Sequence, residues 1–296
     1  MNTFKSPQIS DKIWVDEILK SYCAPSMEYS FSTMFLWSDI YKTKIRKYKS
    51  CLLARFGDNL YFFPAGGVEE DIKSAVDWIL KNASSPVIFS GLSENNKQFL
   101  EKNYDCIFTF SENRDYGDYI YTTEQLSSLK GKKLSSKRNH INRFLENNPD
   151  WCYEKIDSSN IEEVLKMHSE WEIMADSQNN KGLLQEGDVV RKALKYYDEL
   201  GLSGGLIRSG GRVIAFSLGD ELNSDTFLVH IEKAFYDIQG AYPIINREFV
   251  KANCMDYKFV NREDDTGDEG LRKAKLSYCP HEILKKYKAK QKEIFL

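Results

Sequence analysis

A chain of 296 residues is about twice the usual single-domain length, so two domains or one large one is the starting expectation. Hydrophobic residues make up 42% and aromatics 13%, enough for a packed core and too much for a disordered chain. A formal net charge of only -3 excludes binding to nucleic acid or anionic lipid through the whole-molecule field, so any such affinity must come from a local basic patch.

In chain order, residues 10–23 and 68–82 carry apolar side chains at helical spacing, and between them lies a hairpin pattern, "CLLARFGDNLYFFPAGG" (51–67), turning at Gly-Asp-Asn. A strand is expected in "SPVIFSG", a helix in "SENNKQFLEKNY" and a strand in "DCIFTF". The second half has helices at 160–174 and 188–201, then a hairpin pattern at 204–222 turning at Ser-Gly-Gly. There follow a strand (225–234), a helix (241–253), a strand (257–264) and a helix (267–276). Both halves thus read as helices, hairpin, strand, helix and strand, an α/β (α+β) layer arrangement used twice, as after a structural duplication. The expected break lies in "YIYTTEQLSS" (119–128), where strand-like residues give way to a polar, Ser/Thr-rich stretch, giving domains 1–123 and 124–296. Each is expected to hold a central mixed sheet flanked by helices.

The N-terminus lacks the apolar core of a signal peptide, and no stretch approaches the roughly 18 apolar residues of a membrane span, so the expectation is a cytoplasmic protein with no integral membrane segment. Six cysteines without a C-x-x-C, and only four histidines, give no zinc-finger spacing. The five carboxylates between Glu263 and Glu269 fail the EF-hand template, and the expectation is no metal. Asp268 and Glu269 instead suit a helix N-terminus, with Arg272, Lys273 and Lys275 toward its C-terminal end.

Strict alternation along "DTFLVHIEKA" puts Phe227, Val229 and Ile231 on one face and Leu228, His230 and Glu232 on the other. Residues two apart on a strand are roughly 6–7 Å apart, which makes His230 and Glu232 a candidate acid/base pair, or else a hydrogen-bonded pair at a strand end. Beyond it, Gly240 permits a tight turn and Pro243 suits a first helical turn, so backbone N–H groups near Gly240 and Ala241 could face a phosphate or an oxyanion. Glu232, Tyr242, Asn261, Arg262 and Asp264 lie at strand ends or helix starts and are expected to converge on one cavity. The stretch "KGKKLSSKRNHINR" (130–143) is basic without an acid, and Lys132, Lys133, Lys137 and Arg138 are candidate phosphate or RNA ligands. Its bland reading is a solvated helix face. His168 and Trp171 read as packing residues.

"FLVHIEKAFYDIQGAYPIINREF", "YKFVNREDDTGDEGLRKAKLSYCP", "YSFSTMFLWSDIYK" and "KRNHINRF" together resemble a family of bacterial proteins related to the C-terminal domain of phosphatidylglycerol lysyltransferase. The resemblance implies two tandem GNAT-like domains, shared with the Fem-type aminoacyltransferases, in which an amino acid passes from aminoacyl-tRNA to a lipid or peptidoglycan-precursor acceptor. On that reading the partners are tRNA and a small-molecule or cell-envelope precursor acceptor. Glu232 or His230 would take the proton, and Lys233 or the Gly240–Ala241 backbone would hold the oxyanion. Lys137, Arg138, Arg262 and Lys275 would hold phosphate, with Asn246 and Tyr278 further substrate contacts. A CoA-dependent N-acyltransferase is the first alternative. Against acyl-CoA as cofactor, Asp237 and Tyr242 stand where the Q/R-x-x-G-x-G/A pattern of CoA enzymes has a cation or amide and a small residue. The second alternative is a non-catalytic RNA- or protein-binding descendant of the fold.

Overall fold

The computed structural model describes residues 3–175 and 180–292, which fold as a mixed α/β chain with two sheets. Two compact units are present, one comprising residues up to 118, 264–269 and from 283 onward, the other 119–263 and 270–282.

The first unit opens with α1 (Lys12–Tyr22), α2 (Phe31–Leu36) and α3 (Ser38–Tyr41), followed by strands β1 (Thr43–Tyr48), β2 (Cys51–Phe56) and β3 (Leu60–Phe62) in antiparallel succession. Helix α4 (Glu69–Asn82) carries Glu69, Glu70 and Asp71 in its first turn and Lys81 in its last, matching the helix dipole. It crosses over to β4 (Ile88–Leu92), which pairs parallel with β3. Ser93 and Asn96 form a capping box that starts α5 (Glu94–Asn103), and β5 (Phe108–Glu112) follows. Val76, Ile79, Phe89 and Leu100 are fully buried in its core.

The second unit begins with β6 (Tyr119–Thr122), α6 (Thr123–Ser128), α7 (Ser135–Asn147), β7 (Cys152–Lys155), α8 (Ile161–Met174), α9 (Lys181–Lys195) and α10 (Tyr197–Leu200). Strands β8 (Ser203–Ser209), β9 (Arg212–Asn223) and β10 (Thr226–Ala234) run antiparallel, with Gly210 and Gly211 at φ 58° and 73° supplying the two-residue turn between the first two. Helix α11 (Ala241–Asn253) crosses over to β11 (Phe259–Asn261), parallel to β10, and α12 (Glu269–Leu276) and β12 (Glu282–Ile283) complete the sheet, in the order β12-β6-β11-β10-β9-β8-β7. Three antiparallel strands, a helix and a parallel fourth strand therefore occur in each sheet, the repeated topology expected of tandem α/β domains.

Two features were not legible in the sequence. Lys44, Arg46 and Lys47 mask the apolar alternation of strand β1, so the sequence shows a single hairpin where the first unit has a three-stranded meander. The lysine-rich tail forms β13 (Tyr287–Gln291), which inserts between β4 and β5 to give the order β1-β2-β3-β4-β13-β5. Lys286, just before it, is buried and donates to both oxygens of Glu28 at 2.7 Å and to Asp118 at 2.6 Å.

Candidate active site

The site is built on β10, whose register with β9 slips between Val229 and Ile231, leaving His230 as an extra, bulged residue. A bulge reverses the inside-outside alternation beyond it. Phe227 stacks edge-on against Phe249 of α11, and Glu232, five residues on, also meets α11. The strict alternation read from sequence, which set Phe227 and Glu232 on opposite faces, is corrected by this one inserted residue.

Glu232 is clamped. Its Oε1 accepts from Arg262 Nη2 at 2.7 Å and its Oε2 from Asn246 Nδ2 at 2.9 Å, with the Glu232 and Arg262 side chains 12% and 10% exposed. The Arg262 guanidinium lies 4.7 Å from the Tyr278 ring centroid and 5.6 Å from that of Tyr121, and Lys137 Nζ lies 4.0 Å from the Tyr278 centroid. Burial opposes the Arg262 charge, but the Glu232 carboxylate beside it outweighs burial and holds the guanidinium protonated. Lys137 lacks such compensation: burial first, then repulsion from Arg262, push its ammonium down to about 8 against the opposing pull of Glu232. Burial raises the Tyr278 and Tyr121 hydroxyls well above the ordinary tyrosine range, so both stay neutral. Arg262 Nη1 and Asn246 Oδ1 are buried with no hydrogen-bond partner. One is a donor, the other an acceptor, and each is the second nitrogen or oxygen of a group already bonded to Glu232. Leaving such atoms unpaired costs about 1–3 kcal/mol each, an expense that a ligand can reverse.

The structure does not bring His230 to the same task. Its Nε2 lies 3.0 Å from Asp220 and its Nδ1 3.0 Å from Glu263, so both ring nitrogens are occupied. Burial disfavours the charge, yet the two carboxylates raise the imidazolium to about 10, and a ring protonated at neutral pH cannot serve as base. Lys233, the next residue after Glu232, faces the other way. Its Nζ binds Glu186 at 2.7 Å and lies 3.9 Å from the Trp171 ring centroid, among side chains of α8 and α9, so it is no oxyanion ligand beside Glu232. His168 is buried there too, and burial pushes its imidazole down to about 4.

At the helix junction Gly240 has φ 86°, and a Cβ there would stand 2.3 Å from the His140 carbonyl oxygen of α7. Its close backbone approach is thus to a neighbouring helix. The Ala241 N–H donates to Ile238 O at 3.1 Å and is not free for an oxyanion. An open cavity of about 360 Å³ does lie at this junction, between His140 and residues 236–243. Tyr242 is one of its lining residues, with a hydroxyl raised chiefly by burial. Lys275 Nζ donates to Arg262 O at 2.7 Å and Asn261 Oδ1 accepts from Glu263 N at 2.7 Å, so both brace the backbone that presents Arg262. Asp264 belongs to the other compact unit. The basic stretch divides: Lys132 and Lys133 are exposed, Lys137 turns inward, and Arg138 donates to Gly131 O at 2.7 Å and to Leu129 O, capping the preceding turn. Sequence reasoning missed Tyr121, Asp220 and Glu263; an aromatic beside Arg262 across paired strands was the only available signal, and only once the pairing was known.

The sequence model of the family described as phosphatidylglycerol lysyltransferase, C-terminal, matches residues 21–290. The chain belongs to this family. A conserved protein of unknown function from Bacteroides thetaiotaomicron, known from its crystal structure, is 36% identical, covers 99% of this chain and 100% of its own, and superposes with a TM-score of 0.93. The C-terminal domain of a protein described as a lysylphosphatidylglycerol synthetase, from Agrobacterium fabrum, is 14% identical with a TM-score of 0.67 over 96% of this chain and 92% of its own, a likeness of fold. An uncharacterised protein of Mycoplasmoides gallisepticum is 25% identical over 187 residues, and the chain spans 56% of that relative's length. Arg262, Glu232, Asn246 and Tyr278 all fall within the matched family region. Among the described residues, no helix is long and apolar enough to cross a membrane.

Proposed function

We propose that the second unit is an acyltransferase that moves an aminoacyl group from aminoacyl-tRNA to an amine or hydroxyl acceptor, with Glu232, Arg262, Asn246 and Lys137 as its reacting set. The observation that carries this reading is the pair of buried, unpartnered atoms beside Glu232, the donor Arg262 Nη1 and the acceptor Asn246 Oδ1. An aminoacyl ester offers complements to both: its carbonyl oxygen accepts from Arg262, and its amino group donates to Asn246 and Glu232. As the acceptor nucleophile attacks the ester carbon, negative charge grows on that oxygen and Arg262 stabilises it. The nucleophile loses one proton and the departing ribose hydroxyl gains one. Lys137, whose ammonium ionises at about 8, can take the first and return the second without extreme cost in either state. Asp237 in the junction cavity and the internally bonded Ala241 N–H weigh against a CoA pyrophosphate there.

The test is thermal stabilisation by bulk tRNA charged with mixed amino acids, by the same tRNA uncharged, and by acetyl-CoA, followed by single-turnover release of amino acid to hydroxylamine as surrogate acceptor. The expected result is a larger shift with charged than uncharged tRNA and aminolysis that Arg262→Met abolishes. A shift with acetyl-CoA alone would overturn the donor assignment.

A further inference from the structure

We infer that the outer strands of the first unit form an RNA-docking surface, separate from the residues of the reacting set, that grips the phosphodiester backbone of the tRNA donor. The inference rests on the aminoacyl-tRNA reading only for the identity of that RNA. In a chain of net charge -3, the eight residues from Lys42 to Lys49 carry Lys42, Lys44, Arg46, Lys47 and Lys49 and no acid. Lys44 of β1 lies directly opposite Arg55 of β2 in an antiparallel pair, and Arg46 follows on the same face. Like charges directly opposite one another destabilise a sheet, and a bound polyanion would turn that repulsion into attraction.

Aromatic rings hold the two arginines in place. The Arg46 guanidinium lies 4.1 Å from the Trp78 ring centroid and 5.7 Å from that of Tyr48, and Arg55 lies 4.8 Å from that of Phe4. Their Nε atoms are buried without a hydrogen-bond partner, so the rings fix each guanidinium, and neither arginine makes an ion pair among the described residues. Lys42 precedes the strand and is exposed, Lys47 is exposed on the opposite face of β1, and Lys49 is paired to Asp71 at 3.3 Å. Guanidinium groups held over rings, with Lys44 beside them on the same strand face, suit phosphates and the stacking of unpaired bases. An anionic membrane is disfavoured because the rings of this face are covered by arginine and offer no bare apolar anchor.

The experiment compares wild type, Lys42→Gln/Lys44→Gln/Lys47→Gln, and Lys132→Gln/Lys133→Gln for binding of unfractionated tRNA across a salt series, with sedimentation on phosphatidylglycerol vesicles in parallel. The expected result is at least ~10-fold weaker tRNA binding by the triple variant at 0.1 M salt, with the salt slope reduced by about 0.7–0.9 for each lost contact. Its Tm should be unchanged or raised, because the substitutions relieve the repulsion. Wild-type binding that the triple variant matches in affinity and slope would overturn this surface while leaving the donor assignment standing. No wild-type binding at low salt would overturn both, and a triple variant that loses vesicle binding but keeps tRNA binding would assign the surface to a membrane.

Discussion

Replacing Glu232 by Gln keeps the shape of the clamp and removes its charge. Glu232 and Arg262 are nearly buried, and breaking such a pair from one side costs about 3–5 kcal/mol, because the surviving charge is left uncompensated. At about 2–4 °C per kcal/mol for a domain of this size, Tm should fall by ~6–20 °C. Adding Arg262→Met to Glu232→Gln should recover part of that loss, since no buried charge then stands alone. Lys137 gives the sharper reading. Glu232 raises its ammonium and Arg262 lowers it, so Glu232→Gln should move its ionisation below about 8 and Arg262→Met should move it upward. NMR of ¹³C-methylated lysines assigned through a Lys137→Arg control measures this without needing turnover. General loosening would shift both variants toward the ordinary lysine value of about 10.4. Unchanged or parallel titrations would therefore refute the claim that the three groups form one electrostatic unit.

His230 ionises at about 10 in the fold against about 6.5 unfolded. Its stabilisation is therefore complete below pH 6.5 and lost as pH rises through 10; denaturant titrations of His230→Asn should lack that decline. Lys286→Met leaves Glu28 and Asp118 buried together without their cation and should cost about 3–5 kcal/mol in urea unfolding, largely restored by adding Glu28→Gln and Asp118→Asn. Gly240→Ala combines a left-handed backbone with a Cβ facing the His140 carbonyl and should destabilise by at least about 1–3 kcal/mol, read as a lower midpoint at unchanged m-value.

What was legible in the sequence was whatever depends on local chemistry. The Gly210–Gly211 turn, the helix opening at Gly240 and Pro243, and the charged ends of α12 follow from rules spanning a few residues, and the repeated element order follows from these. The bulge at His230 was not legible, because an inserted residue looks like any other until its partner strand is known. That single position decided which face Glu232 occupies, and with it which of His230, Lys233, Asn246 and Arg262 share its site. The tail strand failed for a related reason: lysine-rich segments read as solvated, yet Ala289 is fully buried and Lys286 is neutralised by residues 168 and 258 positions away in sequence.

The buried charges of this protein divide by how completely they are satisfied, and that division locates the chemistry better than charge alone. His230 and Lys286 are each held by two carboxylates, and such groups fix a structure in one state. Arg262 has one carboxylate for two terminal nitrogens, and Lys137 has an aromatic ring and a distant carboxylate but no ion pair among the described residues. His168 makes no hydrogen bond, but its Nε2 lies 3.7 Å from Glu172 Oε1 and burial keeps the imidazole neutral, so it carries no uncompensated charge. A cation left half-paired in a low-dielectric site is costly unless something arrives to complete it. Arg262→Lys keeps a cation beside Glu232 but removes the unpaired nitrogen, so it should cost less thermal stability than Arg262→Met while aminolysis falls as far. If Arg262→Lys kept aminolysis at the wild-type rate, the unpaired guanidinium nitrogen would have to be judged a feature of packing and not the place where the substrate carbonyl binds.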